Sequence, residues 1–352
     1  MKKYILSIFI CLLTNSSFSQ SNLWQKTILK PSDSTSFVKK LYNGRYQTYS
    51  LNLNNLKTQL ENAPLRNDIG SRSSLVVNFP DEKGNMERFS VLETPVLARA
   101  IAIQHPNIKT YVGFSLDNPG GRIRFSVTPL GLKAMTTYLN KPAVFIVPKE
   151  KGNTLEYISY QRGVRKSSIK DFKCLTENEL VRIKERNPFN RDANDQILRT
   201  LKIAISTTGE YTSFWDDGDN TNGNAQSDAL AALVSTLNRT NEVFEVDMAV
   251  TFQLVSGVEI VYPSASTDPY TNNLNSQLQS TLTSQVGESN YDIGHLFTFG
   301  TNNGNAGCIG CVCVDGQKGS GFSSHSFTDN DGGPNMDDFF DIDYVPHEIG
   351  HQ

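Results

Sequence analysis

The chain closes on His347-Glu348-Ile349-Gly350-His351-Gln352, two histidines four residues apart with a carboxylate directly after the first. Residues four apart share one face of an α-helix, so His347 and His351 can offer two imidazole nitrogens to a single ion. Glu348 lies about 100° around the helix from His347, within reach of a water on that ion without being a ligand itself. Two nitrogen ligands, an open coordination position and a neighbouring carboxylate describe a hydrolytic zinc site. Glu348 would take the water's proton as general base and return it to the leaving group. Such a site needs a third protein ligand, and the sequence ends one residue after His351, so the chain is expected to be a fragment. A distant Glu as third ligand is the weaker alternative. Pro346 stands directly before His347 and is tolerated only in the first turn of a helix. The active-site helix is therefore expected to start near Asp343, with Asp343 as its cap.

The elements that must position this helix alternate strand and helix. Leu201 to Ser206, Met248 to Val255 and Tyr291 to Phe299 read as strands. Asp228 to Phe244 carries Leu230, Leu233, Val234, Leu237 and Phe244 at helical spacing, with Ser227 as cap. Leu274, Leu278, Leu282 and Val286 form a second helical stripe. This βαβαβ order predicts a sheet with helical crossovers. The front half reads as β-rich: Ile123, Phe125 and Val127 alternate with polar residues directly after the turn Asp117-Asn118-Pro119-Gly120-Gly121. Ala143 to Val147 and Tyr157 to Tyr160 are further strands, and Leu51 to Leu60 a short helix.

Charge divides the chain in two. Residues 200–352 carry three Lys and Arg against twenty Asp and Glu, a formal −17, whereas residues 1–199 carry 30 against 16, a formal +14. The basic residues are spread along a folded-looking segment, which argues against nucleic acid as partner. A basic front half docked on an acidic rear half fits better, since complementary potentials favour association. Lys2, Lys3, the apolar run Tyr4 to Leu13 and Ser17-Phe18-Ser19 make a secretory signal cleaved after Ser19. That run is too short to span a bilayer, and no later stretch is long and apolar enough. The expectation is a secreted protein with no membrane span.

With the terminal motif placed after such a βαβαβ run, the rear half resembles the secreted bacterial reprolysin-like (adamalysin-type) metzincin zinc metalloproteases. Four stretches carry the resemblance: Ser206-Thr207-Thr208-Gly209-Glu210-Tyr211, Thr267 through Asn273, Tyr291-Asp292-Ile293-Gly294-His295, and Phe340 through Val345 leading into the motif. The resemblance implies an α/β (α+β) catalytic domain with a twisted mixed sheet and an active-site helix, incomplete at its C-terminus and preceded by a β-rich pro-region. Its divisions would be a signal at 1–19, a pro-region at 20–176, a linker at 177–198 and the start of the catalytic domain at 199–352. The implied activity is zinc-dependent hydrolysis of peptide bonds in proteins, by an endopeptidase made as a latent precursor. Substrate would add as an extra strand beside an antiparallel edge, for which Tyr291 to Gly300 is the candidate or its neighbour. The family's third ligand, six residues past the second histidine, and its Met-containing turn would lie beyond Gln352.

Cys174, in Asp171-Phe172-Lys173-Cys174-Leu175-Thr176, stands where related pro-regions hold a cysteine whose thiolate occupies the open zinc position. The family has Gly after that cysteine and this chain has Leu175; the alternative is a free or buried thiol. Cys308, Cys311 and Cys313 lie in a glycine-rich loop, where disulfides are favoured over a redox or zinc-ribbon pair. Asp329-Asn330-Asp331-Gly332 with Asn335, Asp337 and Asp338 could hold calcium, but an acidic solvated loop is the better reading. His105, His295 and His325 have no ligand spacing and read as structural. The competing functional reading is a non-catalytic secreted binding module of metzincin-like shape.

Overall fold

The computed structural model describes residues 23–28, 46–67, 70–162, 172–177, 197–327 and 338–352. The expected signal segment, the connection at 178–196 and the acidic loop from Asp329 to Asp337 lie outside the described residues.

The front half is one antiparallel sheet. Its strands are β1 (Trp24–Thr27), β2 (Gln47–Leu51), β3 (Val76–Pro80), β4 (Met86–Glu93), β5 (Lys109–Ser115), β6 (Arg122–Thr128), β7 (Gly131–Thr137), β8 (Val144–Pro148) and β9 (Glu156–Gln161). They run in the order β1-β2-β9-β8-β7-β6-β5-β4-β3. Helix α1 (Leu53–Leu60) buries Leu53, Leu56 and Leu60 against one face, beside Trp24, Tyr49, Phe79, Phe89 and Phe125. The predicted turn before β6 forms as read: Gly121 N–H donates to Asn118 O at 2.9 Å, and Gly120 takes φ +80°, open to glycine without strain. A second helix, α2 (Arg99–Gln104), lies between β4 and β5.

The rear half is a mixed six-stranded sheet. It contains β10 (Lys173–Cys174), β11 (Arg199–Thr207), β12 (Val250–Leu254), β13 (Ile293–Phe299), β14 (Asn303–Asn305) and β15 (Gly321–His325), ordered β10-β14-β15-β13-β11-β12. Strands β12, β11, β13 and β15 are mutually parallel, and β14 runs antiparallel to β15. The crossovers are α3 (Gly209–Trp215) with α4 (Ala225–Met248), and α5 (Leu274–Gln285). The expected edge, Tyr291 to Gly300, is corrected: β13 pairs on both sides and lies inside the sheet. Its near-continuous apolar run, Ile293 to Phe299, is that of a parallel strand buried on both faces.

Helix α4 is longer than its apolar stripe. Asn224, not Ser227, is the cap: its side chain accepts from Ser227 N–H, and the Ser227 hydroxyl answers Asn224 N–H in a capping box. The helix is buried on both flanks because it is sandwiched between the two sheets. Leu230, Leu233, Val234 and Leu237 enter the rear core, while Ser235, Asn238, Glu242 and Glu245 meet the front sheet. Strand β6 supplies the other side of that contact. Its Ile123, Phe125 and Val127 point into the front core, and the alternate residues Arg122, Arg124 and Ser126 reach α4. Arg122 pairs with Glu242 at 2.9 Å, Arg124 with Glu242 at 3.2 Å and with Glu245, and Arg66 with Glu245 at 2.8 Å. The opposite charges of the two halves thus meet in a buried cluster.

Front residues also cover both ends of the rear sheet. At β12, Ala98 N–H donates to Leu254 O and Leu254 N–H to Val96 O, each at 2.8 Å. At the far end, β10 pairs in parallel with β14. The edges of β12 and β14 are thereby covered, the latter by a strand of only two residues.

Candidate active site

The motif helix does not begin at Asp343. Helical backbone is already present at Phe339, residues Phe340–Tyr344 form a π-turn, and α6 (Val345–His351) continues from it. Val345 N–H reaches back five residues to Phe340 O, and this wider turn carries the chain into Pro346, which has no N–H to offer. Asp343 caps nothing; its carboxylate takes a 2.6 Å ion pair from Arg162. Asp341 is buried and anchors the turn, accepting from the Thr236 hydroxyl at 2.6 Å and Arg239 at 2.9 Å on α4.

The family-like stretches meet around this helix as supports. Gly209 N–H donates to Asp268 at 2.7 Å, and the Tyr270 hydroxyl to Ser206 Oγ at 2.7 Å, so the first two stretches lock together. Tyr211 packs on Phe297, Phe327 and Phe340. His295 is buried between Ser323 Oγ (2.9 Å) and Gln352 (3.3 Å), and burial pushes its imidazole down to about 4. It is a structural histidine, as expected. His325 is one too, accepting Phe327 N–H at 2.9 Å. Cys308 and Cys311 are disulfide-bonded, and between them Gly310 N–H holds His351 O at 3.0 Å. Cys313 is free and exposed.

Helical spacing brings the two motif histidines together as read: His347 Nε2 and His351 Nε2 are 3.1 Å apart. Cys174, 177 residues away in sequence from His351, places Sγ 3.6 Å from His351 Nε2. The donor atoms of Cys174, His347 and His351 all lie within 4.8 Å of one another. Two imidazole nitrogens and a thiol sulfur form a donor set that suits a tetrahedral divalent ion. Desolvation, and then His351, lower the basicity of His347, which keeps a lone pair available.

Glu348 is 0 % exposed and sits beneath β14, so close to Gly304 that a Cβ there would come within 2.5 Å of its Cγ. Burial pushes its carboxyl up to about 7, against the pull of a Thr176 hydroxyl bond of 2.9 Å to Oε2. Its Oε1 has no hydrogen-bond partner. A buried carboxylate oxygen left open beside two histidines fits a site built to receive a water and an ion.

The segment bearing Cys174 is held as an added strand. Lys173 N–H donates to Asn302 O at 2.9 Å and Leu175 N–H to Gly304 O at 2.8 Å. Phe172 stacks on Tyr344 and meets His347 edge-on, and Thr176 Oγ1 accepts Ala306 N–H at 2.9 Å. Sequence reasoning missed Thr176 and Gly304. The available signal for Thr176 was its spacing, since residues two apart on an extended segment share a face.

The family model for M12B reprolysin-like metallopeptidases matches residues 197–352. Over this rear segment, less than half of the chain, the protein is similar to the reprolysin-like metallopeptidases. That likeness supports a protease with a catalytic metal, and the motif helix, the βαβαβ frame and the antiparallel strand β14 all fall inside the matched segment. Metalloproteinase-II from Bacteroides fragilis is similar over 76% of this chain and 77% of its own, at 10% identity and a TM-score of 0.32. A superposition that loose carries no part of the assignment. Among curated proteins no match was found.

Proposed function

We propose that this chain is the precursor of an exported zinc endopeptidase, with residues 20–176 as a pro-region that holds the site closed. His347 and His351 would bind the zinc, and Cys174 would fill a further position in the latent form. The observation that carries this reading is Cys174 Sγ within 3.6 Å of His351 Nε2, in a cluster with His347. Leu175 in place of the family's glycine is compatible with it, because its N–H is used for strand pairing while its half-buried side chain packs against the apolar cluster that contains Tyr270 and Phe322. Export rests on the signal-like segment ending at Ser19.

Zinc bound there would supply an acidified water and a polarised scissile carbonyl. Glu348 would receive the water's proton at Oε1 and pass it to the leaving amine. Its raised proton affinity suits that exchange near neutrality. Strand β14 would hold an extended peptide by its backbone, which suits protein substrates. In the latent form Lys173 and Leu175 take up Asn302 O and Gly304 O, and Thr176 takes up Glu348. Substrate edge, metal position and base are then covered by four consecutive residues, Lys173 to Thr176.

Cobalt(II) titration of the chain tests the reading. A thiolate-to-cobalt absorption band is expected, lost in Cys174→Ser while weaker binding through the histidines persists, and lost altogether with binding in the His347→Ala, His351→Ala variant. Wild-type cobalt binding without a thiolate band would remove Cys174 from the site. Binding that survives loss of both histidines would remove the site itself.

A further inference from the structure

A second cluster lies where α3 passes into α4. Asp216 and Asp217 follow α3, Asp228 is in the first turns of α4, and their carboxylate oxygens lie within 4.8 Å of one another. Asp228 is 1 % exposed; its Oδ2 accepts Asp217 N–H at 3.2 Å, and its Oδ1 has no partner. Asn222 adjoins the cluster through its amide. Its Nδ2 donates to Asp217 at 3.1 Å, which leaves its buried Oδ1 also without a partner. Gly218 N–H donates to Asp216 Oδ1 and Asp219 N–H to Asp217 Oδ1, so the donors to the cluster are neutral N–H groups, and no ion pair to its three carboxylates is present among the described residues. The Lys151 ammonium is nearby but spends its bonds on Phe214 O (2.6 Å) and Asp216 O (2.8 Å), backbone oxygens at the end of α3. Burial raises the Asp228 carboxyl to about 6, with Asp217 and Asp216 adding to the rise against the Asp217 N–H.

Two buried oxygens left open in one carboxylate cluster call for a positive charge of small size. We infer that Asp216, Asp217, Asn222 and Asp228 form a binding site for a divalent cation of the calcium class. All four donors are oxygens, with no histidine or cysteine among them, which selects a hard cation over zinc. The ligands come from an irregular loop and a helix turn, and calcium accepts such uneven geometry where magnesium demands a regular octahedron. An ion there would fasten the end of α3 to the start of α4. It would also set the surface on which the front turn carrying Lys151 and Gly152 rests, since a Cβ on Gly152 would stand 3.3 Å from Asp217 Cβ. This site is separate from the histidine cluster on α6 and does not depend on the proposed protease function.

Terbium(III) luminescence provides the test, because Trp215 directly precedes Asp216 and can sensitise an ion bound beside it. The full chain, stripped of metal, is titrated with terbium and then with calcium. Saturable emission at one ion per chain is expected, persisting in Trp24→Phe and in the His347→Ala, His351→Ala variant. Calcium should displace it at roughly 10⁻⁴ to 10⁻³ M, the range of extracellular calcium modules. Asp228→Asn should weaken binding at least about tenfold, as expected when a charged ligand is lost. Should Asp228→Asn fold poorly, the exposed Asp216→Asn reads the same loss. No saturable emission, or wild-type affinity retained in both Asp216→Asn and Asp228→Asn, would overturn the assignment and leave a proton shared between Asp217 and Asp228.

Discussion

The Thr176 hydroxyl donates a 2.9 Å hydrogen bond to Glu348 Oε2, joining a front-segment residue to the buried carboxylate of the motif helix. Two residues earlier in the same segment, Cys174 meets His351. One short strand therefore engages both the histidine pair proposed to bind metal and the carboxylate proposed to transfer the proton. Each contact strengthens the other, because ordering the strand once serves both.

Thr176→Val removes the hydroxyl at nearly constant volume. A hydrogen bond to a charged group contributes about 1.5–3 kcal/mol, so the strand should open at least about tenfold more often. Hydrogen exchange at Leu175 N–H, which is bonded to Gly304 O, should accelerate accordingly. Thr176→Ser should restore protection. Unchanged exchange in the valine variant would show that the bond does not hold the strand.

Glu348→Gln keeps an acceptor for Thr176 but cannot take a proton. In the zinc-loaded enzyme freed of its front half, peptide hydrolysis should fall at least about a hundredfold. Zinc content, measured by atomic absorption, should stay at the unmutated level. Appreciable turnover in this variant would exclude Glu348 as the base.

Gly304→Ala tests the close packing of β14 over the motif. An added Cβ would stand 2.5 Å from Glu348 Cγ and 2.6 Å from its Oε1, closer than atoms can approach. Glu348 must shift, and overpacking of this kind costs about 1–3 kcal/mol. A lower Tm is expected together with reduced kcat in the freed enzyme, while cobalt still binds the histidines. Wild-type values for both Tm and kcat would contradict the placement of Glu348 under this strand.

Acid should weaken the joint between the two halves through Glu245. Burial alone would raise its carboxyl, but Arg124 and Arg66 outweigh it and hold it at about 2, below the ordinary 4.5. A depressed carboxylate stabilises the folded state above about pH 4.5 and loses that contribution as pH falls toward 2. The contribution is on the order of 3 kcal/mol. Urea unfolding at pH 7 and pH 3 should give a larger difference for the wild type than for Glu245→Gln, by about 2 kcal/mol, the part of the contribution already lost at pH 3. The variant should also be weaker at pH 7, because Arg66 and Arg124 lose a buried charge partner. Equal pH dependence in both proteins would place the acid sensitivity elsewhere.

What the sequence by itself determined was local. The two histidines four apart, the βαβαβ order, the turn before β6 and the separation of charge all follow from neighbours within a few residues or from composition. Even there, backbone detail escaped it: the π-turn at Phe340–Tyr344 forms where Asp341 is drawn toward Thr236 and Arg239, partners about a hundred residues away. The alternation in β6 announced two different faces, yet it could not say that the polar face would be covered by Glu242 and Glu245 rather than by water. Only the tertiary structure decided that Arg124 is buried, that β13 is interior and that Cys174 and Thr176 reach the motif helix. The reason is physical: periodicity records which side of an element differs, while the identity of what packs against it depends on contacts between distant segments that no local spacing encodes.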